Sequence, residues 1–297
     1  MLEGVVLKSY SNFFEVAAGG ERYLCTLRGR FRKENISILT GDRVKLASIK
    51  GDKAVIDEVM PRKSELVRPA IANVDQVLIV LAVSKPALNL NLLDRMTVIA
   101  QSKDLDIVIL FNKADLLDNM ESSLYDQVLD EMEWYRRIGF AVILTSQEDA
   151  SIIEAIRSVG KGKISVLAGP SGVGKSSILN IIRPSLGLRT GAVSVKSGQG
   201  RHTTRHVELL PLGYDGFIAD SPGFSILSFE DITPQGLAYC FPEMEPYIPT
   251  CRFSTCLHHK EPDCGVKQAV EDGYIHQRRY ENYVTYLLEI MENERRY

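Results

Sequence analysis

Apolar and polar positions change rhythm twice along the chain. Residues 2–10, 13–17, 22–27, 43–49 and 54–59 read as short strands. Turn signals separate them at Gly19-Gly20, Thr40-Gly41-Asp42 and Gly51-Asp52. Five short strands in the first 64 residues predict a small OB-like β-barrel, and an SH3-like barrel would give nearly the same pattern. From residue 65 strands and helices alternate. Residues 74–83, 106–111, 140–144, 164–167 and 216–219 read as strands. Residues 90–102, 122–138, 152–159 and 176–182 read as helices, with Leu124, Val128, Leu129, Met132 and Tyr135 giving the second its helical spacing. Such alternation predicts a parallel sheet covered on both faces. The last stretch holds a Cys/His cluster and a helix over 275–294, with Tyr280, Tyr283, Val284, Leu287, Leu288 and Met291 on one side. Core packing is the expected use of that stripe.

The expected architecture is therefore multidomain α/β: a barrel over 1–66, a nucleotide domain over 67–228, and a metal-binding domain with a helical tail over 229–297. A chain of 297 residues has room for two domains or three small ones. Its 45% apolar and 25% charged content excludes a disordered or collagen-like chain. No run approaches the roughly 18–20 apolar residues of a bilayer span, so no membrane partner is expected. The first residues lack a basic region followed by an apolar one, so no secretory signal is expected either.

Net charge is only −3, but it is unevenly spread. Residues 1–64 hold 12 Lys and Arg against 8 Asp and Glu, whereas residues 229–297 hold 7 against 12. The positive charge is densest at Arg22, Arg28, Arg30, Arg32 and Lys33. Arg28, Arg30, Arg32 and Lys33 are the candidate RNA-phosphate contacts, a solvated loop being the plainer alternative.

Gly169-Pro170-Ser171-Gly172-Val173-Gly174-Lys175-Ser176 matches the G-x-x-x-x-G-K-[ST] phosphate loop in full, between a predicted strand and a helix. Its glycines let backbone N–H groups curl around phosphate oxygens, and the helix start adds partial positive charge. Lys175 is expected to reach the β- and γ-phosphates and Ser176 to ligate Mg²⁺, with Ser177 behind it. This loop does not choose the base. Asn112-Lys113-Ala114-Asp115, directly after a strand, supplies that choice. The Asp115 carboxylate can accept from guanine N1–H and the N2 amino group, and adenine offers neither donor there. A carboxylate left unpaired is costly, so the contact discriminates. Lys113 can lay its stem over the base, and Asn112 can tie this loop to the phosphate loop. Thr145-Ser146, after the next strand, is the expected second base loop.

Asp220-Ser-Pro-Gly223 follows the strand over 216–219. Asp220 is expected to hold Mg²⁺, and the Gly223 amide to sense the γ-phosphate. Gly200-Arg-His-Thr-Thr204 lies in a segment rich in Gly, Ser and Thr, where a Mg²⁺-ligating Thr203 or Thr204 is expected. The base reader precedes the phosphate loop, the reverse of the Ras-like order, so the domain is expected to be circularly permuted. The position after Gly223 is Phe224, which cannot orient a water. Either His202 in the Gly/Ser/Thr-rich segment substitutes, with Lys175 as the other catalytic residue, or a partner completes the site.

There are five cysteines, and Cys251, Cys256 and Cys264 lie within 14 residues. With His258, three thiolates and an imidazole suit one closed, structural Zn²⁺ site. His259 is the competing ligand. Cys25 and Cys240 read as ordinary buried or partly buried thiols.

On Asn112–Asp115, Gly169–Ser176, Gly200–Thr204, Asp220–Gly223 and the Cys251–Cys264 cluster, the chain resembles the RsgA (YjeQ/YloQ) family of circularly permuted GTPases. The resemblance covers essentially the whole chain and favours His258 as the fourth zinc ligand. It implies GTP hydrolysis to GDP and phosphate, stimulated by the small ribosomal subunit and its rRNA, during late subunit maturation. A cytoplasmic monomer is expected. The rival expectations are a phosphotransferase acting on a small molecule and a non-hydrolysing GTP-dependent RNA scaffold.

Overall fold

The computed structural model describes residues 1–10, 12–29, 31, 37–67, 69–146, 151–183, 207–220, 229 and 231–295, with backbone alone at 67, 151 and 220. Five strands, β1 (Leu2–Ser9), β2 (Phe14–Ala18), β3 (Glu21–Leu27), β4 (Arg43–Lys50) and β5 (Lys53–Val59), pair in the order β1-β2-β3-β5-β4. A β1–β4 pairing closes the ring, and β3 runs parallel to β5. That topology is OB-like, as the turn spacing predicted. Alternation fills the barrel: Val6, Phe14, Val16, Tyr23, Cys25, Val44, Leu46 and Ile56 point inward and form its core.

A short hairpin, β6 (Glu65–Val67) and β7 (Ala70–Ala72), leads out of the barrel. Arg62 straps this connection down, donating to both oxygens of the fully buried Asp42 at 2.7 and 2.9 Å. The second unit is a sheet of β8 (Gln76–Ala82), β9 (Asp106–Asn112), β10 (Ala141–Thr145), β11 (Ile164–Ala168), β12 (Glu208–Gly213) and β13 (Gly216–Asp220), in the order β10-β9-β8-β11-β13-β12. Five strands are parallel, as expected. The sixth, β12, is antiparallel to β13 and corrects the all-parallel reading. It also carries the sheet into the barrel through β1, where Lys8 and Glu208 meet at 2.8 Å.

Both faces are covered, which explains why β8 is buried throughout and apolar after Gln76. Val77, Ile79 and Leu81 pack against α1 (Leu90–Gln101) and α2 (Ser122–Arg137). Leu78 and Val80 pack against α3 (Ser151–Val159) and α4 (Lys175–Ile182). On α2 the buried side is Val128, Met132, Trp134 and Tyr135, whereas Leu124 and Leu129 stay exposed.

The C-terminal unit places α5 (Gly265–Glu271) and α6 (Gln277–Glu294) behind the cysteine cluster. Tyr283, Tyr286, Leu287 and Ile290 of α6 join Phe241, Met244 and Val266 in one core, together with Val98 and Ile99 of α1. Leu288, counted into the stripe from its spacing, is exposed. Helix α1 is thus buried from two sides, and Asp94 at its middle is fully buried. That carboxylate accepts from Arg279 at 2.8 Å, from Asn282 at 2.6 Å, and from Tyr135 and Arg278. Arg279, itself fully buried, also pairs with Glu243. A buried charge survives only with such partners. Among the described residues no helix is long and apolar enough to cross a membrane.

Candidate nucleotide and metal sites

The phosphate loop leaves β11, whose five residues are all buried, and passes close to β8. Gly169 has φ +137, and a Cβ there would lie 2.2 Å from the carbonyl oxygen of Val80. No other residue fits that backbone at that distance. Gly174, also at positive φ, opens helix α4, and Lys175 and Ser176 form its first turn. Lys175 folds back so that Nζ donates to the carbonyls of Gly169 and Pro170, both at 2.7 Å. Burial lowers its pKa. A half-buried ammonium whose partners among the described residues are neutral carbonyls gains from an anion at the loop. Ser171, Gly172 and Ser176 are exposed along the loop, whereas Val173 and Ser177 are buried beneath it.

The base-reading segment begins where β9 ends. Asn112 is fully buried and joins three loops. Its Nδ2 donates to the carbonyl of Val173 at 2.7 Å, and its Oδ1 accepts from Thr145 Oγ1 at 3.0 Å. The tie to the phosphate loop expected from the sequence is present. Lys113 adopts a left-handed backbone, φ +65, and its ammonium donates to the carbonyl of Lys85. Ser146 Oγ donates to Asp115 Oδ1 at 3.0 Å, which brings the expected second base loop onto the carboxylate. Ala114 starts the short helical turn Ala114–Asn119 that carries Asp115. All three loops sit at the carboxyl ends of parallel strands of one sheet, β10 beside β9 and β11 one strand further on across β8, where ligands of open α/β sheets bind.

Strand β13 ends at Asp220 beside β11, with Ala219 in register with Val166. Its backbone therefore ends beside the strand that leads into the phosphate loop. Thr203, Thr204, His202, Gly223 and Phe224 lie outside the described residues, as do Arg30, Arg32 and Lys33. Arg28 is half-exposed and pairs with Asp57 at 2.8 Å. Other barrel cations are paired too, Arg22 with Glu15 and Lys45 with Glu58.

Cys251, Cys256, His258 and Cys264 converge, their ligand atoms all within 4.8 Å of one another. Cys251 Sγ lies 3.8 Å from Cys264 Sγ and 3.4 Å from His258 Nδ1, which is itself 3.4 Å from Cys264 Sγ. Zinc bonds of about 2.3 Å to sulfur and 2.0–2.1 Å to nitrogen, at tetrahedral angles, demand edges of about 3.8 and 3.6 Å. The cluster fits a tetrahedral ion. Burial pushes the Cys256 thiol up to about 12 and raises Cys264, and it lowers His258. Buried thiols of that kind become thiolates when a cation sits among them. Helix α6 holds the metal loop: Tyr280 donates to the carbonyl of His258 at 2.9 Å and Tyr283 to that of Leu257 at 2.8 Å. Cys25 and Cys240 are buried elsewhere, as expected.

Sequence reasoning missed Lys85 and the Asp94 hub. A carboxylate between Leu93 and Met96 on an apolar helix, and the adjacent Arg278-Arg279, were the available signals.

The RsgA GTPase family model matches residues 59–230, more than half of the chain, and the RsgA N-terminal domain model matches residues 3–56. The chain belongs to the RsgA GTPase family. It is 45% identical over 294 residues to the small ribosomal subunit biogenesis GTPase RsgA of Moorella thermoacetica, covering 99% of both chains. To the protein of the same description from Carboxydothermus hydrogenoformans it is 46% identical, again over 99% of each. Among solved structures it resembles YloQ, a circularly permuted GTPase, with a TM-score of 0.85 and 38% identity over 99% of this chain and 96% of that one. YjeQ from Thermotoga maritima superposes with a TM-score of 0.83 at 38% identity, over 98% of each chain. The permuted motif order is therefore a property of the fold, and the chain is a GTP hydrolase. Family membership sets aside the phosphotransferase and the non-hydrolysing scaffold.

Proposed function

We propose that this GTPase works in small ribosomal subunit biogenesis, hydrolysing GTP to GDP and phosphate when it is bound to the small subunit and its rRNA. The observation that carries this reading is the junction at Asn112, which fixes a guanine-reading carboxylate to the phosphate loop. Asp115 reads guanine N1–H and the N2 amino group. Thr145 and Ser146 hold the reading loop in place. The backbone of residues 169–176 cradles the phosphates, and Lys175 exchanges its carbonyl partners for the β- and γ-phosphate oxygens. Ser176, Asp220 and Thr203 or Thr204 would hold Mg²⁺, which neutralises charge on the phosphate oxygens when bound.

The residue after Gly223 is Phe224, which cannot align the attacking water. We assign that role to His202, completed or brought into place by the subunit. The unit over 1–66 serves as an RNA-binding barrel, 67–228 as the GTPase proper, and 229–297 as a zinc-stapled module. One structural zinc at Cys251, Cys256, His258 and Cys264 leaves no ligand position for water, so it holds the loop and takes no part in hydrolysis. The protein acts as a monomer in the cytoplasm.

The test is phosphate release from GTP and from ATP by the full chain, with and without isolated small subunits. Turnover of GTP alone, rising at least about 100-fold with the subunit, supports the reading. Turnover that ignores the subunit contradicts it.

A further inference from the structure

One cavity lies outside the nucleotide and metal sites but against the guanine loop. It encloses about 600 Å³ between the segment after β8 and helix α2, and Val83, Leu88, Met120, Leu124, Val128 and Trp134 line it. Leu124 is 46% exposed, and Tyr125 and Leu129 of the same helix are exposed beside it. The rim is acidic. Residues 114–135 contain seven Asp and Glu and no Lys or Arg; at the cavity itself Glu131 is paired with Arg278 at 2.7 Å, and Asp130 is exposed. Trp134 adds an independent observation. Its Nε1–H is buried and has no hydrogen-bond partner among the described residues. An indole N–H can only donate, so what it needs is an acceptor.

We propose that this groove receives a basic, amphipathic peptide segment from a small-subunit ribosomal protein. An apolar side chain fills the cavity, Lys or Arg side chains meet Asp130 and the exposed Asp126 one turn before it, and the indole of Trp134 shifts on binding so that its shielded N–H meets a main-chain carbonyl. RNA does not fit: its phosphates meet a rim of like charge, and it brings no aliphatic anchor. The place matters for the site next door. Met120 follows the helical turn that carries Asp115, and Ser84, also lining the cavity, precedes the Lys85 carbonyl that holds Lys113. An occupant therefore touches the supports of the guanine loop from behind. The source of the peptide rests on the ribosomal reading above; its chemistry does not.

The chain holds a single tryptophan, so its emission reports on the cavity directly. The intact protein is titrated with a short amphipathic peptide of Leu and Lys, with the same peptide carrying Glu for Lys, and with oligouridylate. The expected result is a saturable change in Trp134 emission with the Leu/Lys peptide alone. Leu124→Glu combined with Asp130→Lys, both at exposed positions, weakens it at least about tenfold and leaves GDP affinity unchanged. No response to the basic peptide, or an equal response to the acidic peptide or the RNA, overturns the proposal. A photo-cross-linking residue in place of Leu124 then tests the source on isolated small subunits. An adduct with a ribosomal protein supports it. An adduct with rRNA, or none while the chain co-sediments, overturns it. Failure to co-sediment strikes the ribosomal reading itself, and the titration still decides the chemistry of the groove.

Discussion

Asn112 donates to the main-chain oxygen of Val173 at 2.7 Å, so the loop that reads the base and the loop that holds the phosphates are one unit. The same side chain accepts from Thr145, which brings in the third loop. Asn112→Ala removes both bonds from a fully buried position and leaves Thr145 Oγ1 without its side-chain acceptor. At about 1–3 kcal/mol for such a loss, GDP affinity falls about 5- to 150-fold. Calorimetric titration of GDP checks this, and an unchanged affinity would mean that the three loops hold their places without Asn112.

Gly169→Ala tests the close approach of β11 to β8. The new Cβ meets the Val80 carbonyl at 2.2 Å in a backbone that L-residues avoid. The loop or the strand must shift, at a cost of a few kcal/mol. A lower melting temperature together with loss of nucleotide binding is expected, read by thermal unfolding with and without GDP. A variant that binds GDP normally would place the tight contact elsewhere.

How much of this was legible in the sequence depends on how local each feature is. The phosphate loop and the Asn112–Asp115 segment are continuous and follow strands, so sequence located both. The barrel strands were legible because glycine turns punctuate them. Strand β12 was not: Pro211 and Gly213 weaken its strand pattern, and its turn into β13 uses Tyr214 and Asp215 at positive φ instead of glycine. The Asp94 hub was hidden because its partners come from α2 and α6, the latter more than 180 residues away. Leu124, Leu129 and Leu288 show the limit of periodicity: helical spacing places residues on one side without saying what covers them.

Asp94 and Arg279 tie the GTPase domain to the helix behind the metal cluster. Asp94→Ala leaves Arg279 buried with Glu243 as its remaining carboxylate partner among the described residues. Removing one member of a buried charge pair costs about 3–5 kcal/mol, or about 10 °C in melting temperature for a domain of this size. Differential scanning calorimetry reads the shift. A change within about 1 °C would mean that the hub contributes little to stability.

The metal cluster predicts one zinc per chain by elemental analysis. Cys264→Ser, or treatment with a strong chelator, should release it and lower the unfolding temperature of the C-terminal unit. GDP binding should persist, because no ligand of the cluster touches the phosphate loop. Zinc-free protein with unchanged thermal unfolding would contradict the staple role.

The guanine-reading carboxylate is the centre of the account, and exchanging its acceptor for a donor tests it most directly. Equilibrium binding of GDP, ADP and xanthosine diphosphate is measured on the wild-type chain and on Asp115→Asn. The wild type should bind GDP and reject ADP by about 10⁴-fold or more. The variant should lose GDP and gain xanthosine diphosphate, whose added oxygen accepts from the new amide. Equal affinity of the wild type for ADP and GDP, or a variant that keeps GDP, would contradict the assignment of Asp115.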